Sequence, residues 1–389
     1  MLAVLCLLLG FASISTDLYL PAMPTMERGL GASPGELEYT ISGYLGGFAF
    51  GQLLWGPVGD RYGRKWPIAC GLMLFVCGAA GCALANSVTV LIAARVIQAI
   101  GASAGVVLAR AMVRDLYTGD KAAGMLSTLM TVMAVAPMIG PLAGGGILLL
   151  WGWRAIFVVM ACVGMVTLGA LFTLPETLPP PRRSGEHLGR AFAAYGPLLR
   201  SRRLLGLAAA GWFFYAGMFA FVAGTPFVYI SYYHVSPQHY GFLFATATIA
   251  IMASNFLNMR LVAVIGLERM LRRGVVAAAA TGLLVAAATM TGLGGLWGLV
   301  AALFAFSGTS GFFIANAIAA ALSNHPRQAG TVSALVGACQ YGGGIAGSGL
   351  VGLLADGTPR PLGMVVAIAG IGTLLCVWFV AFAQERAER

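Results

Sequence analysis

Two ionisable residues, Asp17 and Arg95, stand inside long apolar runs and are the groups in this chain best placed to do chemistry. A carboxyl can bind and release a proton, whereas a guanidinium stays charged and can only bias its neighbours. Asp17 lies in the run 2–26, about nine residues or roughly 13 Å of helix from its far end. Arg95 lies in the run 88–112, about seven residues or roughly 10 Å from its first residue. A charge at such a depth in hydrocarbon costs at least ~2.5 kcal/mol, so each is expected to face a cavity or a partner and to have a use. The two reach similar depths from opposite directions and are expected to pair. Ser13, one helical turn before Asp17, shares its face and is a candidate ligand contact. No further acid or base is expected inside a span, and His187, His234, His239 and His325 all fall at loops or segment ends. A membrane-embedded enzyme would need a cluster of such groups, so an enzyme is not expected.

These residues require a membrane scaffold. The chain of 389 residues is 59% hydrophobic and only 9% charged, with mean hydropathy +0.87, which excludes a soluble domain. The first run lacks a basic leader and a small-residue cleavage site, and is read as a retained helix rather than a signal peptide. Cutting at charged, Pro/Gly and Asn/Ser punctuation gives twelve apolar segments: 2–26, 37–59, 67–85, 88–112, 122–149, 155–174, 204–230, 239–262, 274–293, 296–322, 330–355 and 362–383. The expected fold is an all-α membrane protein of twelve transmembrane helices in two pseudo-symmetric six-helix halves, 1–174 and 204–389, joined by a linker, 175–203.

Nineteen of the 23 Lys and Arg fall on the side that holds the linker, against Arg28, Arg154 and Arg360 on the other. The positive-inside rule then makes the linker and both termini cytoplasmic. Nothing basic precedes the first segment, a departure that a trimmed N-terminus would explain. The formal charge of +10 is thereby a matter of topology and implies no nucleic-acid partner. All seven cysteines fall in apolar runs without a C-x-x-C pair and are expected to be small core residues, with no metal site.

The halves repeat weakly. Asp17-Leu18-Tyr19-Leu20-Pro21 aligns with Val222-Ala223-Gly224-Thr225-Pro226, and the glycine-rich stretch 136–145 aligns with 338–347. Two such halves suit alternating access, with a site near the midplane. Val222 in place of Asp17 leaves the acid in one half only.

After the second segment comes Gly56-Pro57-Val58-Gly59-Asp60-Arg61-Tyr62-Gly63-Arg64-Lys65. Gly56 and Gly63 are expected to allow a tight turn and close helix approach, and Asp60 to hold the positive end of a facing helix. This stretch resembles the G-x-x-x-D-R-x-G-R-K/R loop of the major facilitator superfamily. The resemblance implies a gating loop, Asp60, Arg61, Gly63, Arg64 and Lys65, in which Asp60 meets the start of segment eleven near Gly330 and has Arg114 as a second partner. Arg95-Val96-Ile97-Gln98 is similar to the family's R-x-x-Q-G motif, with Ala99 in place of the glycine. Pro137, Gly140, Pro141, Gly144 and Gly145 resemble its antiporter motif, with Ala136 in place of the first glycine. The prolines are expected to bend segment five and the glycines to let it pack tightly on a neighbour from the other half.

Residues 16–24, with 217–221 and 226–230 around segment seven, resemble the bicyclomycin and chloramphenicol resistance subgroup of drug:proton antiporters. That resemblance implies that Asp17 carries the coupling proton and couples it to drug. Arg95, at matched depth, is expected to tune it, and the aromatic and methionine surfaces of segments seven and ten, with Ser13, are expected to contact drug through Ser13, Asp17, Phe214, Tyr215, Met218 and Asn316. The resemblance also implies a monomeric exporter driven by the proton gradient, with small-molecule drugs, protons and lipid as partners and no cofactor. The alternative is a proton-coupled transporter of a small metabolite in the same fold.

Overall fold

The structure, a computed structural model, describes residues 2–33, 35–117, 119–183, 198, 201–323 and 329–387. The side chain of Arg114, the surroundings of Gly330, and most of the linker with His187 and His325 lie outside what the structure describes, so the expected meeting of Asp60 with Gly330 and Arg114 does too. Within that description the backbone is helical almost throughout and contains no strand.

In chain order the helices are α1 (Leu2–Asp17), α2 (Met23–Leu30), α3 (Glu38–Tyr62), α4 (Lys65–Ala83), α5 (Val88–Leu116), α6 (Gly119–Leu171), α7 (Arg202–Pro226), α8 (Pro237–Ile265), α9 (Leu267–Thr291), α10 (Gly295–Gly308), α11 (Ser310–Ser323), α12 (Ala329–Leu353) and α13 (Arg360–Ala387). Each of the twelve apolar segments lies on helix. Segments five and six form α6, which Gly152 interrupts with a φ of 76°. Segment ten is divided at Thr309 into α10 and α11. Eight helices among the described residues are long and apolar enough to cross a membrane, or nine if the bent pair Val4–Phe11 and Ser13–Leu30 is one span. The glycine-rich α3 and α12, 25 residues each, are long enough as well.

The chain divides into two compact units, residues 1–186 with 235–242, and residues 187–234 with 243–389. In the first, glycines draw α3, α4 and α5 together. A Cβ at Gly47 would meet the backbone of Val96, one at Gly71 the Ala104 side chain, and one at Gly78 the backbone of Gln98. Close backbone approach of this kind is how helices associate where lipid supplies no hydrophobic drive. It fixes Arg95 in the interior of the unit. A Cβ at Gly56 would meet nothing within 4 Å, contrary to the expected close approach there. Cys82 is buried, but Cys70, Cys77 and Cys162 are exposed on apolar faces of α4 and α6, so they are surface rather than core residues.

Candidate functional site

Asp17 is the last residue of α1, and the chain does not continue as α-helix beyond it. A 3₁₀ turn, Leu20–Ala22, leads into α2. Pro21 and Pro24 lack the N–H groups that would bond back to the carbonyls of Asp17 and Leu20, so a break is built in at this point. The segment expected as one continuous span is therefore broken beside its acid. Asp17 is 6% exposed.

Two glycines of α6 make room for it. A Cβ at Gly140 would come within 2.9 Å of Asp17 Cβ, and one at Gly144 would collide with Leu18 O and approach Pro21 Cγ at 3.3 Å. The antiporter-like motif thus packs on the residue 17–21 stretch of its own unit. Gly145 reaches Pro237 and Gln238, which lie in the sequence half 204–389, as expected of this motif, and belong to the same compact unit as Gly145. The α6 backbone stays helical through Pro137 and Pro141, and its non-helical dihedral falls at Gly152 instead.

Arg95 is fully buried and makes no ion pair with Asp17 within 4.0 Å, in contrast to the expected pairing. Its Cζ lies 4.3 Å from the Tyr19 ring centroid and 4.3 Å from that of Tyr44. Nη1 donates to Ser15 O at 2.9 Å and to Gln98 Oε1 at 2.6 Å. Nε and Nη2 make no hydrogen bond among the described residues. Two desolvated ring faces, worth roughly 2 kcal/mol or more each, hold the cation in place of a carboxylate. Tyr19 Oη in turn bonds Thr40 Oγ1 at 2.9 Å, and Gln98 Nε2 reaches Met160 Sδ at 3.4 Å. Arg95 therefore touches Ser15 and Tyr19, two residues either side of Asp17, without touching the acid. Ser13 is half-buried one turn below.

At the connection between α3 and α4, Arg64 organises the loop 60–65. Nη1 bonds Asp60 Oδ1 at 2.7 Å and Nε bonds Asp115 Oδ2 at 2.8 Å. Among the described residues Asp60 is paired within its own loop. Glu176, on the strap leaving α6, accepts from the backbone N–H groups of Arg64 at 2.8 Å and Lys65 at 3.1 Å, capping α4. Lys65 Nζ donates to Phe172 O and Leu174 O, at 3.0 and 2.8 Å, and Arg61 lies over the Tyr62 ring. Burial pushes the Glu176 carboxyl up, but the N–H groups of Arg64, Leu178 and Lys65 and the charge of Arg183 outweigh it and hold it below the usual glutamate range. Gly63 has a φ of +93°, and a Cβ there would approach Glu176 Oε2 to 2.7 Å, so glycine is required on both counts.

In the second unit Phe214 is wholly buried, stacked on Phe306 at 5.5 Å and packed on Phe313 at 5.0 Å. It is a core residue, not the ligand contact expected. Tyr215 and Met218 are half-buried on α7. Asn316 Nδ2 donates to Asn258 Oδ1 and to Phe312 O, both at 2.8 Å, an amide pair joining α8 and α11.

Sequence reasoning missed Ser15, Tyr19, Tyr44, Glu38, Asp115, Glu176 and Asn258. Tyr19 carried a signal, since an aromatic two residues from a lone buried acid is a natural cation neighbour. Glu38 is 3% exposed in the first turn of α3, so the spans hold a second buried acid.

The sequence profile of the Major Facilitator Superfamily matches residues 5–348. An MFS-type transporter of Bacillus subtilis (strain 168), YdgK, is 37% identical over 98% of this chain and 96% of that protein. The bicyclomycin resistance protein homolog of Haemophilus influenzae is 31% identical over 94% of this chain and 92% of its own length. Multidrug resistance protein D of Escherichia coli (strain K12) is 29% identical over 97% and 94%. Among solved structures, the nucleoside transporter NupG superimposes with a TM-score of 0.78 at 12% identity, covering 98% of this chain and 99% of that one.

Proposed function

As a member of the Major Facilitator Superfamily the chain is a multi-pass membrane transporter and not an enzyme, and we propose that it is a proton-coupled exporter of small amphipathic drugs, bicyclomycin- or chloramphenicol-like, working by alternating access. One observation carries this reading. A buried carboxyl, Asp17, ends a broken helix and has no ion-pair partner among the described residues, while the buried cation Arg95 is occupied by two tyrosine rings. Backbone broken inside a membrane is tolerated where it lines a site, and an unpaired acid there is free to exchange a proton or a ligand.

In the cycle proposed, Asp17 gives up its proton to the cytoplasm, binds drug, and exchanges drug for a proton on the outer side. Arg95 is held between Tyr19 and Tyr44, so it stays available to stabilise the ionised acid without neutralising it as a contact pair. Ser13, Tyr215, Met218 and Asn316 are the proposed ligand contacts. The gating loop, Asp60 to Lys65 with Arg114, opens and closes the cytoplasmic side. The relatives' names, a bicyclomycin resistance protein and a multidrug resistance protein, support a drug as the cargo. The proton gradient is the energy source, and the protein acts as a monomer in the bacterial inner membrane with both termini cytoplasmic.

The test is drug accumulation in cells with and without the protein, with and without a protonophore. Expression is expected to lower accumulation of at least one neutral amide-bearing drug, and the protonophore to abolish the difference. Accumulation unaffected by the protein for every drug tested contradicts the reading.

A further inference from the structure

Glu38 plays no part in the cycle above, yet its burial resembles that of Asp17. It sits in the first turn of α3, behind Leu37, whose side chain makes no capping bond. Its Oε2 is buried with no hydrogen-bond partner among the described residues. Among those residues it belongs to no ion pair.

The charges around it do not favour an anion. From α2 the nearest is Glu27, of like sign, while Arg28 beside it turns its Nε to Pro24 O at 3.3 Å. From α6, Arg154 lies over Trp153 and donates to Ala85 O at 3.0 Å. The first two turns of α5 before Arg95 carry no charge. A helix's first-turn amides favour a carboxylate, but a buried oxygen with no donor, no cation and a second carboxyl nearby is better satisfied by a proton.

Its place along the membrane also matters. Thr40, two residues on and so about 3 Å further along the α3 axis, is hydrogen-bonded to Tyr19, two residues beyond Asp17. Glu38 is therefore at the outer side of the layer that holds Asp17 and Arg95, and the Thr40–Tyr19 hydroxyl pair bridges its helix turn to the broken stretch.

We propose that Glu38 is a second proton-binding site, loaded from the outer solution, and the acid nearest that solution on the proton's way to Asp17. Its carboxylate takes a proton from outer water, and it returns to carboxylate when the Asp17 carboxylate gains that proton, so one proton moves inward per passage. The second half of the proposal rests on Asp17 being the coupling acid. The first half does not.

Infrared spectroscopy of the purified full chain separates the two, because protonated carboxyls absorb apart from carboxylates. Wild type, E38Q and D17N are compared from about pH 5 to about pH 9. E38Q is expected to lose a protonated-carboxyl band that D17N keeps, and that band should titrate within the range. An E38Q spectrum that superimposes on wild type, or a Glu38 band unmoved by pH, overturns the proposal. Should E38Q not remain monodisperse, E38D is expected to shift the band, and an unshifted band is equally fatal. In proteoliposomes, E38Q is expected to slow drug-driven proton movement at least about tenfold and to alter its pH profile. An unaltered profile overturns the route. If D17N still couples drug to protons while the Glu38 band behaves as described, the Asp17 reading fails and the Glu38 site stands.

Discussion

Both units use the same packing device on their first apolar segment, and they differ in what that device presses against. In the first, Gly140 and Gly144 of α6 receive the backbone from Asp17 to Pro21. In the second, Gly343 and Gly347 of α12 receive Trp212 and Ala216 of α7. The glycines sit four apart in each case, so one helix face is cleared for one neighbour. The register is not the one the sequence alignment suggests: that alignment pairs position 140 with 342, whereas the contacts pair it with 343. Leu18 lies three residues before Pro21 and Ala216 ten before Pro226, so the second contact falls about two turns further from the proline. The first unit brings its glycines to an acid at a helix break. The second brings them to continuous helix with apolar aromatic packing behind it. Shared architecture thus carries charge handling in one unit and neutral packing in the other.

Substitutions that attack each side of this comparison should differ in kind. F214A removes the ring stacked between Phe306 and Phe313 and is expected to cost about 3–5 kcal/mol of stability, with little change in KM for the drug, read by thermal unfolding and transport. A raised KM with unchanged stability would return Phe214 to the ligand site. G144A and G347A each force a Cβ onto backbone, Leu18 O in one case and Ala216 O in the other, and should each cost about 1–3 kcal/mol. Only G144A should also change the pH profile of transport, because only it displaces the stretch carrying Asp17. Equal pH profiles would dissolve the distinction between the units.

Smaller effects probe the polar contacts. Asn258→Leu breaks a neutral interhelical amide pair and is expected to cost about 0.6 kcal/mol and at most ~1.7 kcal/mol, consistent with a contact that carries no charge. E176Q should cost under about 1 kcal/mol at neutral pH. The Glu176 carboxyl is held below its ordinary range, so its contribution is present above the unfolded glutamate value, and it fades as pH falls through the folded one. The difference in melting temperature between wild type and E176Q should therefore shrink in acid. A difference constant with pH would remove the charged cap on α4.

Much of this was legible from one sequence. Hydropathy located twelve segments because each must be apolar over roughly 20 residues, a constraint that needs no partner to be read. Asp17 stood out because its cost is local. The loop 56–65 and the motif 137–145 were legible because glycine and proline act on the backbone where they stand. Pairings were not. Arg95 was assigned to Asp17 on matched depth, but depth ignores azimuth, and Tyr19 from the break after α1 and Tyr44 from α3 hold the cation. Glu38 escaped because an acid in a first helical turn reads as a solvated one, and its burial depends on how neighbouring helices pack around it. Glu176 escaped for a related reason, since its partners are backbone N–H groups some 110 residues away, which carry no side-chain signature.

The central claim is that drug and proton meet at Asp17. Proton release on drug addition to purified protein, wild type against D17N, addresses it directly, with monodispersity as the check on folding. The account predicts release from wild type that vanishes in D17N, whether or not D17N still binds drug. Undiminished drug-driven release from well-folded D17N would contradict it.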